Sequence, residues 1–175
     1  MRGRSLLSVP NMLSLSRVVL AAAFPFVRTS AWQATLVVLA GATDFLDGFI
    51  ARARHADNKW GALLDPITDR IFVFTALATY LLVGQLTTGQ YFILLARDLA
   101  TAIGFLVARA VPWLRGVTFK ARLTGKLVTT FQLIVLLAVP LVPSAVRPLV
   151  LVVGVLSVWS IIDYTLALWR ARVPA

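Results

Sequence analysis

The apolar positions of this chain run in long stretches, without the strict alternation of strands or the single greasy face of a soluble helix. Six stretches, about 10–27, 32–53, 61–84, 90–111, 124–142 and 146–169, come close to the roughly 20 residues a helix needs to cross a bilayer. Charged or helix-breaking segments separate them: Arg28-Thr29-Ser30, Arg54 to Lys59, Gly84 to Gly89, Pro112 to Leu123, and Pro140 to Pro148. The pattern predicts an all-α integral membrane protein with six transmembrane helices. No break has room for a second domain, so residues 1–175 are expected to form one membrane domain. The opening MRGRSLLSV, residues 1–9, is too short to span and is expected to lie at the interface as a basic stub. Arg17 inside the first stretch, with no convincing cleavage site after it, argues against a removable signal.

Composition agrees with the pattern. The 175 residues are 59% apolar and 14% charged, against about 45–50% and about 25% in soluble chains. There is no cysteine, which excludes disulfide frameworks, thiolate nucleophiles and cysteine-ligated zinc together. A formal charge of +10 would suggest nucleic acid in a soluble protein. Here no polar domain exists to track phosphates, and nucleic acid is not expected as a partner. The cations instead set orientation. With the N-terminus cytoplasmic, Arg2, Arg4, Arg52, Arg54, Lys59, Arg109, Arg115, Lys120, Arg122, Lys126, Arg170 and Arg172 fall inside, and only Arg28 and Arg147 fall outside. Both termini are therefore expected on the cytoplasmic side.

The rare charges carry the chemistry. The chain has seven aspartates, and four of them bracket the cytoplasmic break between the second and third stretches. The arrangement is Asp44-x-x-Asp47-Gly48-x-x-Ala51-Arg52, then Gly61-x-x-x-Asp65-x-x-x-Asp69. Offsets of three and four return to one helix face, so Asp44, Asp47, Gly48 and Ala51 share a stripe, and Gly61, Asp65 and Asp69 share another. A carboxylate at membrane depth costs several kcal/mol unless paired, hydrated or metal-bound. Converging carboxylates with hard oxygen donors, no cysteine and a single histidine, His55, point to Mg²⁺ or Mn²⁺. Gly48, Ala51 and Gly61 leave room for a flat ligand, a nucleotide being the candidate, and Arg52 could reach its phosphate. The same small residues also suit plain helix packing, and Arg52 also suits an interface anchor.

These residues resemble the signature of the CDP-alcohol phosphatidyltransferases, Asp-x2-Asp-Gly-x2-Ala-Arg-x8-Gly-x3-Asp-x3-Asp, which Asp44, Asp47, Gly48, Ala51, Arg52, Gly61, Asp65 and Asp69 match at every position. Val9 to Arg17, VPNMLSLSR, is similar to the family's opening motif. The resemblance implies a six-helix, homodimeric enzyme in which an acceptor hydroxyl attacks CDP-diacylglycerol and CMP leaves. It implies two metal ions on Asp44, Asp47, Asp65 and Asp69, CDP binding at Gly48, Ala51, Arg52 and Gly61, and Asp69 as general base. The active site would face the cytoplasm, in the inner membrane of a bacterium, with the donor's tails left among the membrane lipids.

Two glycerol-type acceptors fit the resemblance. Arg97-Asp98 resembles the Arg-Asp of the cardiolipin synthases, where the glycerophosphate branch commonly has Arg-Glu. Gly125 to Gln132, GKLVTTFQ, resembles a glycerophosphate-branch stretch in which a second lysine stands where this chain has Val128. The missing lysine favours phosphatidylglycerol as acceptor, giving cardiolipin, with glycerol 3-phosphate as the alternative. Arg97, Lys120, Arg122 and Lys126 are the candidate acceptor-binding cations, although Lys120 and Arg122 also suit an ordinary positive-inside loop. Arg97 lies within a span and needs a partner, and Asp98, adjacent on the helix, is expected to point elsewhere. Asp163, in the sixth stretch, is expected to pair with a buried cation such as Arg17. The competing class, a divalent-cation carrier, would place such aspartates nearer the membrane midplane.

Overall fold

A computed structural model describes the backbone of residues 9–54, 61–110 and 123–170, and side-chain surroundings over 15–46, 70–104 and 124–166. Six helices make up the described residues, with no strand among them: α1 (Val9–Ala23), α2 (Ser30–Arg54), α3 (Gly61–Leu82), α4 (Thr88–Ala110), α5 (Leu123–Leu141) and α6 (Pro143–Arg170). Each coincides with one apolar stretch of the sequence. Residues 1–8, most of the expected interfacial stub, lie outside the described residues.

The helix ends follow local chemistry. Pro25 ends α1 in a 3-10 turn, Phe24–Phe26, whose Phe24 carbonyl accepts the Val27 amide at 3.2 Å. The C-terminus of α3 closes on Gly84 at φ 79°. The Gly84 amide donates to Leu81 O at 3.0 Å and the Gln85 amide to Tyr80 O at 2.9 Å, the paired bonds of a Schellman cap with glycine at the left-handed position. At the start of α4, the Thr87 amide donates to Gln90 Oε1 at 2.9 Å and the Gln90 amide to Thr87 Oγ1 at 3.3 Å, a reciprocal capping box.

One boundary differs from expectation. The break expected from Pro140 to Pro148 shrinks to Val142, because Pro140 sits at the end of α5 and Pro143 opens α6. A proline at the first helical position loses no intrahelical bond. Pro148 then forfeits only the bond to the carbonyl four residues back, and α6 continues through it.

The chain divides into two compact units, Met1–Leu86 with Leu136–Pro143, and Thr87–Val135 with Ser144–Ala175. In the first, α1 packs against both α2 and α3. Phe24 is fully buried and meets Phe72 and Tyr80 edge-on, with ring centroids 5.7 and 5.4 Å away. Ala21, Ala34, Ala40 and Ala76 of the same unit are also buried, small enough for helix backbones to approach closely. The Tyr80 hydroxyl donates to Leu136 O at 3.2 Å. In the second unit, Leu94, Leu95, Val128, Val135, Val150 and Val153 form the apolar interior.

The outer faces are apolar as well. Trp32, Phe45, Phe92, Ile103, Val155, Trp159 and Ile162 are all exposed, a surface suited to lipid and unsuited to water. Within the described residues, Thr124–Leu141 and Pro143–Leu166 are long and apolar enough to cross a membrane, while Leu15–Phe26 and Arg70–Leu82 are shorter apolar runs. Threonines on these helices hide their hydroxyls by donating backwards: Thr35 to Ala31 O, Thr79 to Thr75 O, Thr101 to Arg97 O, Thr129 to Gly125 O, Thr130 to Lys126 O and Thr165 to Ile161 O.

Candidate active site

The aspartate signature divides between two helices of the first unit. Asp44, Asp47, Gly48, Ala51 and Arg52 fall on α2, and Gly61, Asp65 and Asp69 fall on α3. Both helices are long enough that each set keeps its one-face spacing. Of these residues only Asp44 has a described side chain; those of Asp47, Gly48, Ala51, Arg52, Gly61, Asp65 and Asp69 lie outside the described residues.

Asp44 is held by a residue from the opening motif. Arg17 of α1 donates from Nη1 to Asp44 Oδ1 at 3.3 Å. The two ends of the pair differ sharply, since the Arg17 side chain is 2% exposed and that of Asp44 47%. Burying a guanidinium in an apolar helix pair is costly without a carboxylate to meet it. The half-exposed carboxylate stays open to an approaching cation. Carboxylates supply the hard oxygen donors that a divalent cation takes, and Asp44 is the one whose side chain is described.

The second unit holds the candidate acceptor residues. Arg97 and Asp98 of α4 are both buried, and, contrary to the expectation that Asp98 points elsewhere, Arg97 Nη1 donates to Asp98 Oδ1 at 3.2 Å. Neighbours on a helix rarely face each other. Here an arginine long enough to curl back closes the pair in a site that excludes water. Gln132 of α5, 1% exposed, anchors the arrangement: its Nε2 donates to Asp98 Oδ2 at 2.9 Å and to Leu94 O at 2.6 Å. The Arg97 Nε is buried and finds no hydrogen-bond partner among the described residues. Gly125 of α5 lies against the guanidinium, with the Tyr164 hydroxyl close by. Lys126 is exposed. Lys120 and Arg122 lie outside the described residues. Val128 is fully buried.

Two of these contacts were not expected from the sequence. Arg17 and Asp44 are separated by 27 positions, a pairing that helical periodicity cannot reveal. Gln132 had a visible signal, because Gly125 and Gln132 are seven residues apart and so share a face of α5. Elsewhere in this unit an apolar groove of about 460 Å³ runs along α6, lined by Ile93, Leu151, Val155 and Val158 among others. It offers no acid, base or cation for chemistry.

Two helices carrying these aspartates at three- and four-residue spacings keep the signature pattern intact, and comparison with known proteins gives the class. The sequence profile of the CDP-alcohol phosphatidyltransferase family matches residues 7–162, and the chain belongs to that family. It is 33% identical to a CDP-diacylglycerol–glycerol-3-phosphate 3-phosphatidyltransferase of Aquifex aeolicus, over 91% of this chain and 95% of that protein. A protein of the same name from Yersinia enterocolitica is 30% identical, over 94% and 96%. A Mycobacterium bovis protein provisionally named a cardiolipin synthase is 37% identical over 64% of this chain and 54% of its own length. The chain is thus a membrane phosphatidyltransferase of phospholipid biosynthesis that uses CDP-diacylglycerol, and the carrier alternative falls away.

Proposed function

We propose that this enzyme transfers the phosphatidyl group of CDP-diacylglycerol to glycerol 3-phosphate. The observation that carries this reading is Arg97, a buried guanidinium with one nitrogen committed to Asp98 and Nε still without a partner among the described residues. A buried cation with spare donors suits a small phosphate, which offers several acceptor oxygens to one planar fork. The relatives named for glycerol 3-phosphate match along nearly the whole chain, whereas the cardiolipin-named relative matches about half of its own length. Asp98 is held against Arg97 and Val128 is buried, and neither observation favours phosphatidylglycerol.

In this reading the acceptor hydroxyl oxygen attacks the phosphorus that bears the diacylglycerol. The bond from that phosphorus to the bridging oxygen breaks, CMP departs with the bridging oxygen, and the hydroxyl proton passes to the Asp69 carboxylate. Gly48, Ala51 and Gly61 admit the CDP moiety, and Arg52 meets its phosphate. Arg97, joined by Lys120, Arg122 and Lys126, binds the acceptor's phosphate and so orients its hydroxyl. Asp44, Asp47, Asp65 and Asp69 would hold two divalent ions, Mg²⁺ or Mn²⁺, whose charge offsets that of the pyrophosphate and the leaving group. Arg17 keeps Asp44 in place.

The same proposal includes residues 1–175 as one functional domain with six membrane spans, both termini and the active site on the cytoplasmic side of a bacterial inner membrane, and assembly as a homodimer. The excess of lysine and arginine on one set of loops supports that orientation. The test is CMP release by the purified protein in detergent with CDP-diacylglycerol and Mg²⁺ or Mn²⁺, comparing glycerol 3-phosphate and phosphatidylglycerol, with the lipid products weighed by mass spectrometry. Phosphatidylglycerophosphate is the expected product. Cardiolipin formed only with phosphatidylglycerol would overturn the choice of acceptor.

A further inference from the structure

The Arg97 guanidinium has a seat, and Gly125 makes it. A methyl group built on Gly125 would overlap Arg97 Nη2 outright and would lie 3.2 Å from Cζ, with the Tyr164 hydroxyl oxygen 3.5 Å away. A flexible arginine would ordinarily swing aside at little cost. This one is tied at Nη1 to Asp98, which is itself tied by Gln132 to the Leu94 carbonyl. The guanidinium is planar, so fixing Nη1 and the stem fixes the opposite edge, which carries Nε and Nη2. That edge includes the nitrogen left without a partner among the described residues.

We propose that Gly125 is a specificity-determining positioning residue: its missing side chain lets Arg97 present the Nε and Nη2 edge to the oxyanion of the acceptor. The inference rests on the reading of Arg97 as the acceptor's phosphate contact. Asp98 and Gln132 act as positioning residues through Arg97, and Gly125 sets where the fork lies. Any side chain at position 125 pushes the fork out of register with the anion while leaving the guanidinium's charge in the site. The consequence is selective. Affinity for the acceptor falls, and affinity for CDP-diacylglycerol does not change.

The experiment measures KM for each substrate separately in wild type, Gly125→Ala, Arg97→Lys and the double variant, with the melting temperature of each protein recorded. Gly125→Ala is expected to raise the acceptor KM at least about tenfold, as for loss of an aligned charge-assisted pair, with the KM for CDP-diacylglycerol unchanged. In the Arg97→Lys background, where no Nη2 meets the methyl group, Gly125→Ala is expected to add less than about a twofold change, the signature of two residues acting as one. Gly154→Ala serves as the packing control, because its methyl would press only on Ile93 Cγ2 at 3.1 Å, and its acceptor KM is expected to match wild type. The inference is overturned if Gly125→Ala leaves the acceptor KM unchanged, if both substrates suffer equally, if the two substitutions multiply independently, or if Gly154→Ala reproduces the effect. The wild-type arm reports separately on the acceptor. Should wild type turn over phosphatidylglycerol alone, the glycerol 3-phosphate reading fails, and the Gly125 comparison is then decided with phosphatidylglycerol by the same criteria.

Discussion

Replacing Gln132 by methionine removes two hydrogen bonds while nearly preserving shape, which makes it the sharpest probe of the second unit. Gln132 is 1% exposed, so no solvent replaces the lost donor to Asp98 Oδ2 or to the Leu94 carbonyl. Side-chain hydrogen bonds between membrane helices average about 0.6 kcal/mol and reach about 1.7. The bond to the Asp98 carboxylate is charge-assisted and belongs at the upper end. Together the two bonds are worth about 1–3 kcal/mol, which for a chain of this length lowers the melting temperature by roughly 2–12 °C. Unfolding can be followed by intrinsic fluorescence in detergent, since the chain has five tryptophans. Thr165→Val is the control: it removes a hydroxyl that bonds only within its own helix at an exposed position, and its melting temperature should stay within about 2 °C of wild type. The acceptor KM should rise in Gln132→Met and stay unchanged in Thr165→Val. Equal melting temperatures for Gln132→Met and wild type would refute the claim that Gln132 anchors the Arg97 and Asp98 pair.

Four further outcomes are expected. Phe24→Ala empties a fully buried site against Phe72 and Tyr80 and should cost about 3–5 kcal/mol, seen as a large fall in melting temperature or loss of folded protein on size exclusion. Gly84→Ala meets no steric neighbour within 4 Å, yet φ is +79°, so only backbone strain of about 1–2 kcal/mol should appear in the thermal melt. Chelation with EDTA should stop CMP release, and Mg²⁺ or Mn²⁺ should restore it; activity that survives exhaustive chelation would remove the metal from the proposal. Asp69→Asn should abolish turnover with an unchanged melting temperature, and full turnover in that variant would remove Asp69 as the base.

Much of this architecture was legible in the amino-acid order, because a membrane helix advertises itself by length and apolarity. All six helices coincide with apolar stretches, and the errors sit at prolines. Proline ordinarily breaks a helix, yet position 143 needs no amide donor and position 148 gives up one bond near a helix end. The signature aspartates were legible for a related reason: their three- and four-residue spacings are local, and α2 and α3 preserve them. Contacts between helices were not. Arg17 meeting Asp44 and Gln132 meeting Asp98 depend on how separate helices pack, which no periodicity encodes. The Arg97 and Asp98 pair failed for the opposite reason. Adjacent residues point apart as Cβ vectors, but a long side chain in a dry site bends to the nearest opposite charge.

The backward-bonded threonines bear on how such a chain changes over generations. Thr35, Thr79, Thr101, Thr129, Thr130 and Thr165 each discharge their polarity into their own helix, so at the exposed ones, Thr35, Thr130 and Thr165, exchange for valine, alanine or serine removes no bond to a neighbouring helix. Polar bonds between helices are made instead by residues such as Arg17, Tyr80 and Gln132 among the described residues. Substitution is therefore expected to be tolerated along the exposed helix surfaces and resisted at the crossing points, where one lost donor loosens two helices at once.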